Sequence, residues 1–77
     1  MLIKGRQWYI TRESLLFVQF RARDVKDIPS YQLGVVAVGI FPDERTMFKG
    51  IVVARTKTGL LLNDWTIYGS TDGVSEN

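Results

Sequence analysis

Five short runs rich in valine, isoleucine, threonine and aromatic residues are separated by turn-forming segments, and this alternation constrains the fold more than any other feature. The runs cover residues 2–10, 15–23, 34–41, 46–55 and 60–68. An open sheet of such strands would leave two edges and one apolar face exposed to water. The chain is therefore expected to close into a small barrel or to pair with another chain.

The predicted fold class is all-β: a small five-stranded barrel or a strongly bent antiparallel sheet, similar in fold to SH3-like and OB-like barrels. The segment 24–33 resembles the long loop that such barrels carry, and a short helical turn is expected there. A chain of 77 residues has room for a single domain, which is predicted to cover 1–69. Residues 70–77 are expected to form a flexible acidic tail, because Val74 is the only large apolar side chain from Gly69 onward.

Turn residues mark the hairpins between the later runs. PDER at 42–45 combines proline with acidic residues, as a type I turn favours. TKTG at 56–59 ends in Gly59, which is expected to adopt a positive φ at the end of the loop. Within the last run, Asn63 and Asp64 interrupt the apolar pattern and predict a bulge or a turn.

Alternating side chains in 15–23 predict a strand with one buried face. The even positions from 16 to 22 are apolar, whereas the odd positions are mostly polar: Phe17, Gln19, Arg21 and Arg23. A helix is the competing interpretation, because apolar residues also recur there at helical spacing behind Thr11, a candidate cap. The strand is favoured, since Phe-Val-Gln-Phe has poor helix propensity.

Several classes of site are excluded because the chain has no cysteine and no histidine. Disulfide frameworks, cysteine nucleophiles and zinc sites built on Cys or His cannot form. The carboxylates show neither a catalytic arrangement nor a calcium-loop pattern. We therefore expect no enzymatic activity, no cofactor and no metal. The start of the chain does not resemble a signal peptide, and GVVAVGIF is too short to span a membrane, so a cytoplasmic location without membrane contact is expected.

Positive charge is concentrated near the N-terminus. Residues 1–26 contain six basic and two acidic residues, a net charge of +4, whereas 27–77 contain four basic and six acidic residues, a net charge of −2. Such an asymmetry points to an anionic partner.

The polar side of the predicted 15–23 strand is the first candidate surface. Same-side residues of a strand lie about 7 Å apart, close to the spacing of phosphates along a nucleic-acid strand. Arg21 and Arg23 could each bind a phosphate or stack on a base, with Phe17 as a neighbouring ring. The alternative is an ordinary solvated face whose arginines pair with cross-strand acids or cover apolar surface with their aliphatic stems.

Trp8 lies among cations in the first run. It has the same parity as Lys4 and Arg6, so an unbroken strand that exposes these cations also exposes the tryptophan. A bulge at Gly5 would instead turn Trp8 into the core. Both arrangements are compatible with the sequence.

The remaining aromatics divide between surface and core. Tyr31, in the long loop, is expected to be the most exposed aromatic residue of the chain, where it could stack on a base or equally plug one end of the barrel. Trp65 and Tyr68 are expected to be core or barrel-closing residues.

Two functions are compatible with these patterns. The first is a non-enzymatic barrel that binds DNA or RNA with low sequence specificity. Its candidate site residues are Arg6, Trp8, Phe17, Arg21, Arg23, Lys26, Tyr31 and Lys49. The alternative is a protein–protein interaction module or homo-oligomeric assembly subunit that uses exposed aromatics and an unpaired strand edge.

Overall fold

The computed structural model describes residues 2–42 and 45–70, which form a closed barrel of five strands and one 3₁₀ helix. The elements are β1 (Leu2–Ile10), β2 (Leu16–Phe20), the 3₁₀ helix (Ala22–Ser30), β3 (Val36–Phe41), β4 (Thr46–Arg55) and β5 (Gly59–Ser70). The prediction of a small all-β barrel is confirmed, whereas the choice between SH3-like and OB-like types stays a prediction. Within the described ranges, no helix is long and apolar enough to cross a membrane.

The strands follow the order β1-β2-β5-β4-β3 around the barrel, which closes between β1 and β3. This closing pair is parallel and joins Leu2 to Val38, Ile3 to Gly39 and Lys4 to Ile40. All other neighbouring strands are antiparallel. Because β1 and β3 are parallel, the 3₁₀ helix that leads from β2 into β3 lies at the end of the barrel where β1 begins, here called the helix end.

Inward-facing side chains of all five strands form one apolar core. Its buried residues are Ile3, Leu16, Val18, Phe20, Ile28, Ala37, Phe41, Phe48, Val52, Leu60 and Leu62. Phe41 and Phe48 stack at its centre, with ring centroids 4.5 Å apart. Burying one such side chain stabilises the fold by about 1.5–3 kcal/mol, so this pair contributes strongly. The described part of the chain contains no buried polar or charged side chain.

The second strand is shorter than predicted. β2 ends at Phe20 and the 3₁₀ helix begins at Ala22, so the prediction of a strand over 15–23 is wrong beyond residue 20. Val25 and Ile28 are three residues apart, which places them on one side of a helix with three residues per turn. Ile28 is buried and Val25 packs against the core. The segment coils because these two side chains cover the helix end of the barrel, and it contains the helical turn predicted within 24–33.

The 56–59 hairpin is present, but Gly59 has a different role from the one predicted. The backbone N–H of Thr56 donates to the carbonyl oxygen of Gly59 at 2.9 Å, which closes the loop. Among the described glycines only Gly34 has a positive φ, so the prediction for Gly59 is wrong. A Cβ at Gly59 would overlap the carbonyl oxygen of Val18. Glycine is therefore required for the close approach of β5 to β2.

Some predictions fall wholly or partly outside the described residues. The PDER turn includes residues 43 and 44, and the proposed acidic tail includes 71–77. Ser70, assigned to that tail, is the last residue of β5.

The register shifts at one place between β1 and β2 and at three places between β4 and β5. In β5 the register shifts where Asp64 adopts a φ of 50°, so the irregularity predicted at Asn63 and Asp64 is a bulge. In β1 the register shifts between Gly5 and Gln7. A one-residue shift reverses the side of the sheet on which the following side chains project. The β1 bulge thus decides which side chains of this strand reach the surface.

Candidate functional site

Tyr9 and Phe17 form an aromatic pair on the outer face of the sheet. They are cross-strand partners on β1 and β2, with ring centroids 5.0 Å apart and 30° between the ring planes. Tyr9 is 57% exposed and Phe17 is half-buried. Cross-strand aromatic pairs stabilise a sheet, and this one also leaves ring surface open to solvent.

Two glutamines form the adjacent outward pair. Gln7 on β1 lies opposite Gln19 on β2. The pair Trp8 and Val18, which projects inward, lies between the glutamines and the aromatic pair. Gln7 is exposed and Gln19 is half-buried. A carboxamide both donates and accepts hydrogen bonds, so polar groups of either kind find partners beside the rings.

Lys4 and Arg6 bring positive charge to the same side of β1. Both side chains are exposed, and Arg6 lies within the bulge between Gly5 and Gln7. Neither forms an ion pair with a carboxylate in the described ranges, where Arg21 pairs with Asp24. Their charge is therefore available to an anionic ligand. We call this surface the β1–β2 face; its residues are Lys4, Arg6, Gln7, Tyr9, Phe17 and Gln19.

A hollow of about 540 Å³ follows β1 across this face. Trp8 and Phe41 line it from below, with their rings stacked at a centroid distance of 5.8 Å. Trp8 is half-buried and packs against the core, so the β1 bulge has turned it inward. Of the two arrangements that the sequence allowed for Trp8, the bulge at Gly5 is the one observed.

The predicted arginine face on β2 is wrong. Arg21 follows the end of the strand, and its Nε donates to Oδ2 of Asp24 at 3.0 Å. Arg23 is an exposed residue of the 3₁₀ helix and does not extend the line of Phe17 and Gln19. The chain turns at Arg21, which removes the regular spacing that a longer strand would have produced. The acid that pairs with Arg21 lies three residues further along the chain and not on a neighbouring strand, where the solvated-face interpretation expected it.

The remaining predicted site residues are dispersed over the barrel. Lys26 is exposed on the 3₁₀ helix. Lys49 is exposed on β4, which neighbours neither β1 nor β2 in the strand order, and its Nζ lies 6.0 Å from the ring centroid of Tyr68. The structure thus brings together Arg6, Trp8 and Phe17 and separates from them Arg21, Arg23, Lys26, Tyr31 and Lys49.

Tyr31 plugs the helix end of the barrel. Its ring meets Phe20 edge to face, with centroids 5.6 Å apart, and its carbonyl oxygen accepts a hydrogen bond from Nη1 of Arg55 at 2.8 Å. Burial raises the pKa of the Tyr31 hydroxyl, and the carboxylates of Asp27 and Asp24 raise it further. The prediction that Tyr31 is the most exposed aromatic is wrong, since Tyr9 is more exposed.

Trp65 and Tyr68 differ in their roles. Trp65 packs against the core, and its Nε1 donates to the carbonyl oxygen of Ser14 at 2.7 Å, which ties the β1–β2 turn to β5. The core or closing role predicted for Trp65 is confirmed. Tyr68 is half-buried, with its ring facing Lys49 on the outside of the barrel.

Sequence reasoning does not select Tyr9, Gln7 or Lys4 as site residues. The parity of an unbroken β1 places Trp8 with the cations and Tyr9 on the opposite side. The bulge reverses that assignment from Gln7 onward, so Tyr9 joins Phe17 on the surface. The one signal in the sequence is Gly5, a residue at which a strand can bulge.

No protein-family model, curated protein or solved structure matches the chain. A five-stranded barrel supports many unrelated functions, so the fold does not assign one. The functional conclusion therefore depends on the chemistry of the surfaces described above.

Proposed function

We propose that this protein is a small non-enzymatic barrel that binds single-stranded nucleic acid, DNA or RNA, through its β1–β2 face. The observation that carries the proposal is the exposed Tyr9–Phe17 pair beside two cations, Lys4 and Arg6, which have no carboxylate partner in the described ranges. Aromatic rings for bases and cations for phosphates are the two components of single-strand recognition.

The aromatic pair supplies the base contacts. Stacking one base on an aromatic side chain contributes about 1–3 kcal/mol. Tyr9 offers most of the open ring surface, and Phe17 holds it from the neighbouring strand. The rigid cross-strand arrangement reduces the entropy lost when a base stacks on it.

The cations supply the phosphate contacts. Arg6 precedes Tyr9 by three residues along β1, which corresponds to about 10 Å of extended chain. A long guanidinium side chain spans that distance to a phosphate beside a base stacked on Tyr9. Lys4 continues the positive charge toward the helix end.

Sequence specificity is expected to be low. Stacking accepts every base, and phosphate contacts carry no sequence information. Gln7 and Gln19 are the carboxamides of the face that can hydrogen-bond to base edges, and a pair of amides supports a modest preference only.

The test is the salt dependence of oligonucleotide binding by a variant with Lys4→Gln and Arg6→Gln. We expect weaker binding to a single-stranded oligonucleotide. The slope of log K against log salt should flatten by about 0.7 for each phosphate that the variant no longer neutralises. Fluorescence anisotropy at several salt concentrations measures both quantities.

A matched control variant carries Arg23→Gln and Lys26→Gln, which remove the same charge from exposed positions on the 3₁₀ helix. Its salt slope should stay close to that of the wild type. Equal weakening in the two variants would show that only net charge matters, which contradicts a site on the β1–β2 face. A wild-type protein that binds neither single-stranded DNA nor single-stranded RNA contradicts the proposed function itself.

The alternative of an interaction module that uses a free strand edge has less support. Each of the five described strands has a hydrogen-bonded neighbour on both sides in the closed barrel. Strand addition by a partner needs an edge without such a neighbour.

A further inference from the structure

The outer surface of β3 and the adjoining parts of β1 and β4 is aliphatic and open. Val36 is 59% exposed and Val38 38%, and Leu2 and Val53 are also exposed. Leu2 lies beside Val38, and Val36 lies beside Ile51, so these side chains form a continuous patch across three strands. We call this surface the β3–β4 face; its residues are Leu2, Val36, Val38, Ile51 and Val53.

The sequence of β3 is typical of a strand that is covered on both sides. GVVAVGIF is apolar at nearly every position, as strands buried on both faces are. The barrel core covers the side of Ala37 and Phe41 but leaves Val36 and Val38 in water. A contiguous apolar patch of this kind on a small domain marks a contact surface.

One cation and one anion line the same hollow on this face. A hollow of about 180 Å³ between Val36 and Ile51 is also lined by Lys49 and Asp64. Lys49 is the cross-strand neighbour of Val38, and Asp64 occupies the β5 bulge. Neither forms an ion pair in the described part of the chain. A patch that contains both a cation and an anion is complementary to a copy of itself rotated by a two-fold axis.

We propose that a second copy of this chain covers the β3–β4 face, in a two-fold homodimer in which Lys49 of each copy meets Asp64 of the other. The two aliphatic patches bury one another, and the two charge pairs form symmetrically about the axis. A strongly cationic partner would place a like charge against Lys49, and a strongly anionic partner would place one against Asp64. The charges of the face therefore select a second copy as its occupant.

A dimer interface would take up a modest share of the surface of this chain. A specific interface of ordinary size buries about 800 Å² on each partner, about one sixth of the 5043 Å² accessible surface of this chain. The aliphatic residues form its centre, and Asn63 and Thr66, exposed beside Ile51 and Lys49, form a polar rim on β5. Tyr9 and Phe17 lie on other parts of the barrel and stay open in this dimer, whereas Lys4 lies two positions from Leu2 on the outer side of β1, at the edge of the interface. Dimerisation does not require nucleic-acid binding.

Sedimentation equilibrium of the full chain over a range of protein concentrations tests the proposal. The wild type should show a reversible monomer–dimer equilibrium, and Val36→Asp should be monomeric because it places a carboxylate at the centre of the interface. Val53→Asp is a second variant with the same expectation. Tyr9→Asp is the matched control, since it introduces the same charge at an exposed strand position on the β1–β2 face and should dimerise like the wild type.

The alternatives to this dimer have distinct outcomes. A wild type that stays monomeric at concentrations up to about 1 mM overturns the proposal. So does a Val36→Asp variant that is folded by circular dichroism and dimerises as well as Tyr9→Asp. A trimer or an open-ended assembly also overturns it, because a two-fold contact closes at two copies.

A charge reversal tests the two-fold contact itself. Lys49→Glu creates two Glu–Asp contacts across the axis and should weaken dimerisation by about tenfold. Adding Asp64→Asn removes the repulsion, and asparagine tolerates the φ of 50° at that position, so affinity should recover in the double variant. Dimerisation of Lys49→Glu at wild-type affinity, or no recovery on adding Asp64→Asn, shows that the copies do not meet through these residues.

Discussion

The β1–β2 face and the β3–β4 face lie on the outside of one barrel but differ in chemistry. The first combines cations, carboxamides and two rings, whereas the second is aliphatic with one cation and one anion at its side. Their inward residues are alike, since Val18 of β2 and Val52 of β4 are both buried in the same core. Inward side chains thus specify the barrel, and outward side chains are free to differ according to what each face contacts.

The pairing of β3 with β4 is regular, whereas the pairing of β1 with β2 is not. β3 pairs with β4 in unbroken register from Val36 to Phe41, so alternate valines stay outward. β1 instead contains the bulge that turns Trp8 inward and leaves Tyr9 outward. One extra residue in β1 therefore places the ring of Tyr9, and not that of Trp8, on the outer surface.

The largest expected effect is a loss of stability on substitution of a core residue that lies beneath both faces. Phe48→Ala removes a fully buried ring that stacks on Phe41, and should lower the free energy of unfolding by about 3–5 kcal/mol. Urea denaturation followed by circular dichroism measures the change. Phe17→Ala, on the surface, should cost much less. Comparable destabilisation in the two variants would show that Phe48 is not at the centre of a common core.

An intermediate effect is expected from the aromatic pair. Tyr9→Ala with Phe17→Ala should weaken oligonucleotide binding by about tenfold or more, since each stacked base contributes about 1–3 kcal/mol. Anisotropy titration measures the affinity, and sedimentation should show dimerisation unchanged. Val38→Ala on the adjoining β3–β4 face is the control and should bind like the wild type. Weaker binding by the Val38 variant would mean that the two faces do not act separately.

The smallest effect is expected at the helix end, which belongs to neither face. The pKa of Tyr31 is raised above its ordinary value of 10.0, so the native state holds this proton more tightly than the unfolded chain. Its stabilisation is present below that value and is lost as the pH rises through the native pKa. Between about pH 9 and about pH 11 the urea midpoint of the wild type should fall more than that of Tyr31→Phe. Equal falls in both proteins contradict a buried, protonated Tyr31.

The barrel could be predicted from sequence because the signals for it are local. Alternation at positions 16, 18 and 20 identified the inward side of β2. Because the chain is so short, five such strands cover their apolar side by closing the sheet into a barrel. The parallel pairing of β1 with β3 was not predicted, because it joins segments about 36 residues apart and neither segment contains a local pattern that indicates the other as its partner.

The candidate site was predicted only in part, because membership of a face depends on where strands end and bulge. Arg21 and Arg23 continued the alternation of β2 in sequence, but Val25 and Ile28 cover the core only when the chain coils after Phe20. Tyr9 reached the surface for a similar reason, through the shift in β1.

The amino-acid sequence by itself determined the class of fold, since the two-residue period of apolar side chains and the short length admit little other than a closed sheet. The tertiary structure alone decided which polar and aromatic side chains share a surface. The physical reason is that a one-residue bulge reverses the direction of the side chains in the rest of its strand, and an early strand end stops their alternation, at little cost to the buried core.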